Sequence, residues 1–378
     1  MQAIIRRSLT TLVARLALAA RRGRVLAPAV ALTLAFALAL TGALSLSAPG
    51  NAWAQKWSSA APIPIGAEEI YGIAAGGKLY VFGGLAPGWK PMGMVFEYDP
   101  AGDRWTRKRD MPAFLHHVAL ATVDGKIYMF GGFELPAKGD AAWAPVRTTW
   151  EYDPVADTWR ALAPAPIARG AHNAVVVDNR IHLIGGAGLH PGSKETALHP
   201  ARPHRALGTH EVFDPATNAW STRTDMPTAR NHAAAGVVDG RIYVIGGRLG
   251  SVFITTATNT DIVEEYNPAS DSWGRLMSPM PNPRSAVAWG VNGGRIYVIG
   301  GEMRTRDFWA TFAAVDAFDP KSNSWTRMPP MPMPRHGLAA DFIGNRLHVV
   351  SGQVQSGTNT PGLVANTDRH DVLTIGGN

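Results

Sequence analysis

The segment DGRIYVIGG, from Asp239 to Gly247, is written again and again along this chain. Near copies are GGKLYVFGG from Gly76, DGKIYMFGG from Asp124, DNRIHLIGG from Asp178 and GGRIYVIGG from Gly293. The copies end in glycine pairs at Gly83-Gly84, Gly131-Gly132, Gly185-Gly186, Gly246-Gly247 and Gly300-Gly301, and Ser351-Gly352 fills a sixth position. Each of the first five pairs is followed by an aromatic-Asp/Asn-Pro turn and a tryptophan, as in EYDPAGDRW from Glu97 and AFDPKSNSW from Ala317. The tryptophans Trp105, Trp159, Trp220, Trp273 and Trp325 recur at intervals of 52–61 residues. A period of that size marks one supersecondary unit that buries its faces only by stacking on its neighbours.

The fourth unit shows what each contains. NHAAAGVVDG from Asn231, RIYVIGG from Arg241, DIVEEY from Asp261 and SWGRL from Ser272 read as strands a, b, c and d. Asp239-Gly240 suits a tight a–b hairpin, since both residues tolerate positive φ. Strand b is apolar on both faces, with Ile242 and Val244 one way and Tyr243 and Ile245 the other. That pattern requires a sheet sandwiched between sheets, which radially stacked four-stranded blades supply. The sixth unit has strands a, b and c (DVLTIGG from Asp371) but no tryptophan strand. AQKWSSAAPIP from Ala54 carries the missing one, with Trp57 in the tryptophan position. The expected fold is therefore all-β, a six-bladed propeller of four-stranded antiparallel blades, closed by the segment around Trp57.

The double glycine, the aromatic turn and the spaced tryptophan resemble the kelch repeat family across residues 55–378. In that family these residues are architectural. The resemblance implies the propeller fold but leaves activity open, because kelch propellers serve as enzymes, recognition domains and adhesion modules. At class level the chain is also similar to a periplasmic sialic-acid mutarotase, and more distantly to the galactose oxidase propeller. The oxidase's radical cofactor needs a tyrosine crosslinked to cysteine beside copper, and this sequence has no cysteine.

The net charge of +7 is misleading. Residues 1–54 hold six arginines and no acid, leaving a body of +1, with no basic stripe of the kind that tracks nucleic acid. In the same segment the arginines precede an apolar run from Val25 to Leu46 and the small-x-small triplet Ala52-Trp53-Ala54. Residues 1–54 read as a signal peptide cut before Gln55, with an uncleaved anchor as the alternative. The expected location is the periplasm or the exterior, with no membrane insertion after cleavage.

Candidate site residues are those the ring does not require. Sixteen residues before the glycine pairs stand Ala67, Leu115, Arg169, Arg230, Arg284 and Arg335. The next two columns hold Glu68, His116, Gly170, Asn231, Ser285 and His336, then Glu69, His117, Ala171, His232, Ala286 and Gly337. Strand a lines the axis. The four arginines are thus expected either to brace the blades or to form a cationic arc at the channel mouth, facing Glu68, Glu69, His116, His117 and His232. Guanidinium forks bind carboxylates, and Glu or His moves protons. A binding module for a protein, carbohydrate or small acid is the leading reading. A carbohydrate-active isomerase using Glu69, His117 and Arg230 is the alternative. No cofactor or metal is assigned: His190, His199, His204 and His210, in and beside the insertion 187–209, lack ligand spacing. The loops after strand b carry Trp89, Trp143, Phe253, Arg304 and Trp309 and are expected on one face.

Overall fold

The computed structural model describes residues 56–86, 88–136, 143–202, 204–357 and 365–376. The signal segment expected at residues 1–54, and its cleavage before Gln55, lie outside these residues. Among the described residues, no helix is long and apolar enough to cross a membrane.

Six four-stranded antiparallel sheets follow one another along the chain. Blade 1 runs a (Tyr71–Ala75), b (Lys78–Phe82), c (Val95–Asp99) and d (Arg104–Arg107). Blade 4 runs a (Ala234–Val238), b (Arg241–Ile245), c (Val263–Asn267) and d (Ser272–Leu276). The six a strands contact each other in cyclic order around the axis. Blade 6 takes its d strand, Trp57–Ala60, from the start of the body: it pairs antiparallel with c (His370–Thr374), placing Trp57 opposite Leu373 and Ala60 opposite His370. The a–b turn at Asp239-Gly240 has φ values of 49° and 71°, as a tight hairpin demands. The b strands are buried on both faces, with Ile242, Val244 and Ile245 all at 0% exposure.

Neighbouring blades are clipped at the rim by the tryptophans. Trp105 Nε1 donates to the Ala61 carbonyl at 2.8 Å, and Asp103 Oδ1 accepts from the Ala61 amide at 2.8 Å. The same two bonds join Trp220 and Asn218 to Ala163, Trp273 and Asp271 to Thr224, and Trp325 and Asn323 to Ser278. Trp159 and Asp157 hold Arg109 alike. Trp57 closes the ring by donating to the Pro329 carbonyl at 3.0 Å; proline has no N–H to return.

The glycine pair serves the inner junction. Gly246 and Gly247 have φ of 64° and 99°, and a Cβ on Gly247 would lie 2.6 Å from the Asn231 carbonyl. The Gly247 amide donates to the Arg284 carbonyl of the next blade at 3.0 Å. At the seam between blades 6 and 1, Ser351 replaces the first glycine, and its hydroxyl bonds Ala67 instead.

The loops after strand b are not loose. In blades 1 to 5 they fold into short second hairpins, for example Leu85–Ala86 with Lys90–Pro91 and Arg248–Leu249 with Thr258–Asn259. These hairpins were not foreseen from sequence, and they form a crown around the axis on one face.

Blades 3 and 6 differ from the rest at the center of strand b. Where blades 1, 2 and 4 have a tyrosine bonded to a glutamate on strand c, blades 3 and 6 have His182 and His348. These contact His210 and His370 across 2.9 Å. Burial pushes His182 and His370 down to about 4, and His210 and His348 to about 3. Between those values and about 6.5 the unfolded chain binds more protons than the native one. Stability contributed by the pairs is therefore complete above pH 6.5 and is lost as pH falls toward 4. Each pair should cost on the order of 1–3 kcal/mol by pH 4.5. Urea midpoints at pH 7.5 and 4.5 measure this, and H182Q/H348Q should narrow the gap; equal midpoints for the wild-type chain would refute it. Separately, W57A should cost on the order of 2–4 kcal/mol in the same assay, because the closing strand loses its anchor.

Candidate functional site

The arginine column does not form a cationic arc. Arg169, Arg230, Arg284 and Arg335 are 0–1% exposed, and each reaches outward along its own blade to an acid on strand c. The pairs are Arg169–Glu211, Arg230–Glu264, Arg284–Asp316 and Arg335–Asp371. Backbone carbonyls take further guanidinium donors: Val244 from Arg230 at 2.9 Å and Gly300 from Arg284 at 2.9 Å. The two blades without arginine also lack the acid, with Ala67 and Phe96 in one core cluster and Leu115 and Trp150 in another. The position holds either an ion pair or an apolar pair, so it is cement within a blade, and Arg230 is removed from the candidate catalytic set. R230L should cost about 3–5 kcal/mol by stranding Glu264. R230L/E264W, which copies blade 2, should recover part of that loss in thermal melts; a double variant no more stable than R230L would contradict the exchange.

Two residues further on, the chain makes the same unusual turn six times. Glu69, His117, Ala171, His232, Ala286 and Gly337 have φ between 49° and 57°. This left-handed conformation costs a residue with a Cβ roughly 1–2 kcal/mol. From blade 2 to blade 6 these residues are linked by a belt of backbone bonds around the axis. Ala171 donates to His117, His232 to Ala171, Ala286 to His232 and Gly337 to Ala286, at 2.9–3.2 Å. Three blades meet this demand with alanine or glycine. The other three place Glu, His and His there, and the ligating atoms of those side chains lie within 4.8 Å of one another.

Glu69 Oε2 accepts from the Tyr71 hydroxyl at 3.3 Å and lies 3.3 Å from His117 Nε2. His117 Nδ1 contacts His116 Nδ1 at 2.5 Å. His232 Nδ1 meets Asn231 Oδ1 at 2.6 Å, so that nitrogen carries the proton and Nε2 presents its lone pair. Arg248 sits against that lone pair, its Nη1 3.5 Å away. Arg248 was not singled out from sequence, and neither was its partner Glu302. Its other donors are occupied by Ser285 Oγ at 2.8 Å, the Val252 carbonyl at 2.5 Å and Glu302. Glu69, His117 and His232 are a donor set that could take a divalent ion. The lone pair such an ion needs on His232 instead faces a guanidinium, and we describe the group as proton-carrying.

Glu69 borders two spaces. Below it is the axial channel, about 320 Å³, with mostly apolar walls such as Ile73, Leu120 and Val237. Above it, within the crown, is a cavity of about 180 Å³. Glu68, Trp89, Trp143, Phe253, Glu302 and His336 line the upper cavity together with Glu69 and Arg248. Trp143 packs on Phe253 with ring centers 4.5 Å apart and on Trp89 at 6.3 Å. The loops after strand b thus converge on one face, as expected. Arg304 instead stacks on Trp309 at 3.7 Å.

The cavity is acidic. Burial pushes Glu68 up to about 8, helped by Glu69 and Glu302. Burial raises Glu69 to about 7, against the pull of Arg248. Burial also drops His116 to about 3 and His117 and His232 well below the usual imidazole range. In the long insertion, His204 Nε2 accepts from the Val252 amide at 2.9 Å and props the blade 4 crown, while His190 and His199 stand in the loop apart from it.

Residues 73–112 and 115–166 match the family described as "Kelch motif", and residues 201–352 match the "KLHDC2/KLHL20/DRC7 Kelch-repeats domain". The chain is 30% identical over 319 residues to Kelch-like protein terF of Aspergillus terreus (strain NIH 2624 / FGSC A1156), covering 81% of this chain and 66% of that protein. It is 26% identical over 260 residues to Kelch-like protein 25 of Homo sapiens, covering 68% and 40%. The match therefore spans less than two thirds of the length of these relatives. Among solved structures, "Structure of YjhT" superposes with a TM-score of 0.67 at 17% identity, over 84% of this chain and 98% of that one, a likeness of fold. With six repeats, a tryptophan-clipped ring and these matches in hand, the chain belongs to the kelch-repeat β-propeller family.

Proposed function

We propose that the crown cavity binds a sugar ring and that Glu69 catalyzes its opening and reclosure, making the protein a carbohydrate isomerase of the anomer-exchanging kind. The observation that carries this reading is Glu69 itself: a buried carboxyl in a strained backbone position, held between Tyr71 and His117, at the floor of an aromatic-walled cavity. Aromatic walls suit the apolar faces of sugars. The reaction needs only a proton carrier. The Glu69 carboxylate takes the proton of the anomeric hydroxyl, the bond from the anomeric carbon to the ring oxygen breaks, and the carboxyl returns that proton to the ring oxygen. Reclosure on the other face of the carbonyl reverses the steps. A carrier works best when its pKa lies near the working pH, and Glu69 is raised to about 7.

A small acid, one of the ligands expected from the arginine column, fits this cavity poorly. Arg248 is already committed to Glu302, and an acid bound here would oppose the ionization of Glu68 and Glu69. Exchange between α and β anomers, measured by magnetization transfer on a panel of reducing sugars, tests the reading. The rate should rise with pH through about 7 as Glu69 ionizes, a midpoint set by Glu68, Tyr71, His117, Arg248 and Glu302 around it. E69Q should lose on the order of 10²-fold or more while melting like the parent. A folded E69Q with the parent's rate would overturn the assignment.

A further inference from the structure

The cavity's hydrogen-bonding capacity is one-sided. Its strongest donor is largely committed: Arg248 gives four of its five guanidinium protons to Ser285, Val252, Glu302 and the His232 lone pair. Besides the Gln353 amide and the Thr255 hydroxyl, what is left are acceptors. His336 is 3% exposed; its Nε2 lies 3.6 Å from Glu302, and its Nδ1 has no partner among the described residues. Glu68 is 5% exposed, and its one side-chain partner among the described residues is the Trp89 indole. A buried acceptor left without a donor is costly, and a ligand that supplies N–H or O–H groups removes the cost. Charge points the same way. Glu68, Glu69 and Glu302 share the space with one guanidinium. Trp89, Trp143 and Phe253 complete a wall of aromatic rings, whose faces attract cations.

We propose that this cavity selects a sugar carrying a protonated amine, with the ammonium placed beside Glu68 and His336 and the ring against Trp89, Trp143 and Phe253. This rests on the carbohydrate reading above and names its substrate class. The raised carboxyls agree with it: Glu68 and Glu69 lie close to each other and to Glu302, with Arg248 the one fixed cation among them, and an ammonium would relieve that repulsion. A carboxylate or phosphate ligand would find no unpaired cation among the described lining residues and would meet the Glu302 carboxylate.

Calorimetric titration of the full chain at pH 7.5 with glucosamine, N-acetylglucosamine, glucose, glucuronate and n-butylamine tests it. Glucosamine should bind at least 10-fold tighter than N-acetylglucosamine or glucose, and glucuronate weakest. E68Q, checked for an unchanged melt, should erase most of the preference for glucosamine over N-acetylglucosamine. Equal or tighter binding of N-acetylglucosamine or glucose overturns the amine but leaves the sugar reading standing. Butylamine binding as tightly as glucosamine upholds the amine site and removes the sugar reading. Preference for glucuronate, binding of none of the five, or a folded E68Q with undiminished discrimination overturns the proposal.

Discussion

Everything in this molecule hangs on how one blade holds the next. At the rim a tryptophan N–H and an Asp or Asn side chain grip the amide and carbonyl of a single residue in the preceding blade, five times over. At the inner junction the second glycine of a pair donates to the neighbor's carbonyl. These bonds fix the blades in register, so the starts of all six a strands come to one height on the axis. In blades 3 to 6 the left-handed turn at that height is offset by backbone bonds on both sides. Only then do side chains from blades 1, 2 and 4 come within 4.8 Å of one another.

The ring was legible because its determinants are local and repeated. A glycine pair, an aromatic turn and a tryptophan each answer a steric or hydrogen-bonding demand that recurs unchanged, and the displaced strand at Trp57 follows from counting. The arginine column misled because it was weighed without its partner column on strand c. That column reads Phe96, Trp150, Glu211, Glu264, Asp316 and Asp371, and it tracks the first one position for position. Burial explains the match: a guanidinium enters a blade only with an acid to meet it, and an aliphatic side chain takes an aromatic instead.

The site was legible in part. Glu69, His117 and His232 stood out because they depart from alanine and glycine within one column. Arg248 and Glu302 did not, since the residue after the glycine pair was read as the start of a loop. Its column runs Leu85, Phe133, Ala187, Arg248, Glu302 and Gln353. Each bridges to the residue before the left-handed turn in its own blade, as Arg248 does to Asn231 and Glu302 to Ser285. Two charged residues in a run otherwise apolar or neutral were the missed signal. The crown hairpins left none, because their sequences share no repeat.

The belt of backbone bonds around the axis has a further property. Its four bonds run in one rotational sense, so the peptide dipoles they align lie around the axis and not along it, unlike those of a helix. The belt itself therefore adds little axial field toward the cavity above it. The potential there comes from a handful of side chains at the six turn positions, the six just before them and the six that follow the glycine pairs. Exchanging those few residues would reset the sign of the potential in the cavity while the blades stay as they are.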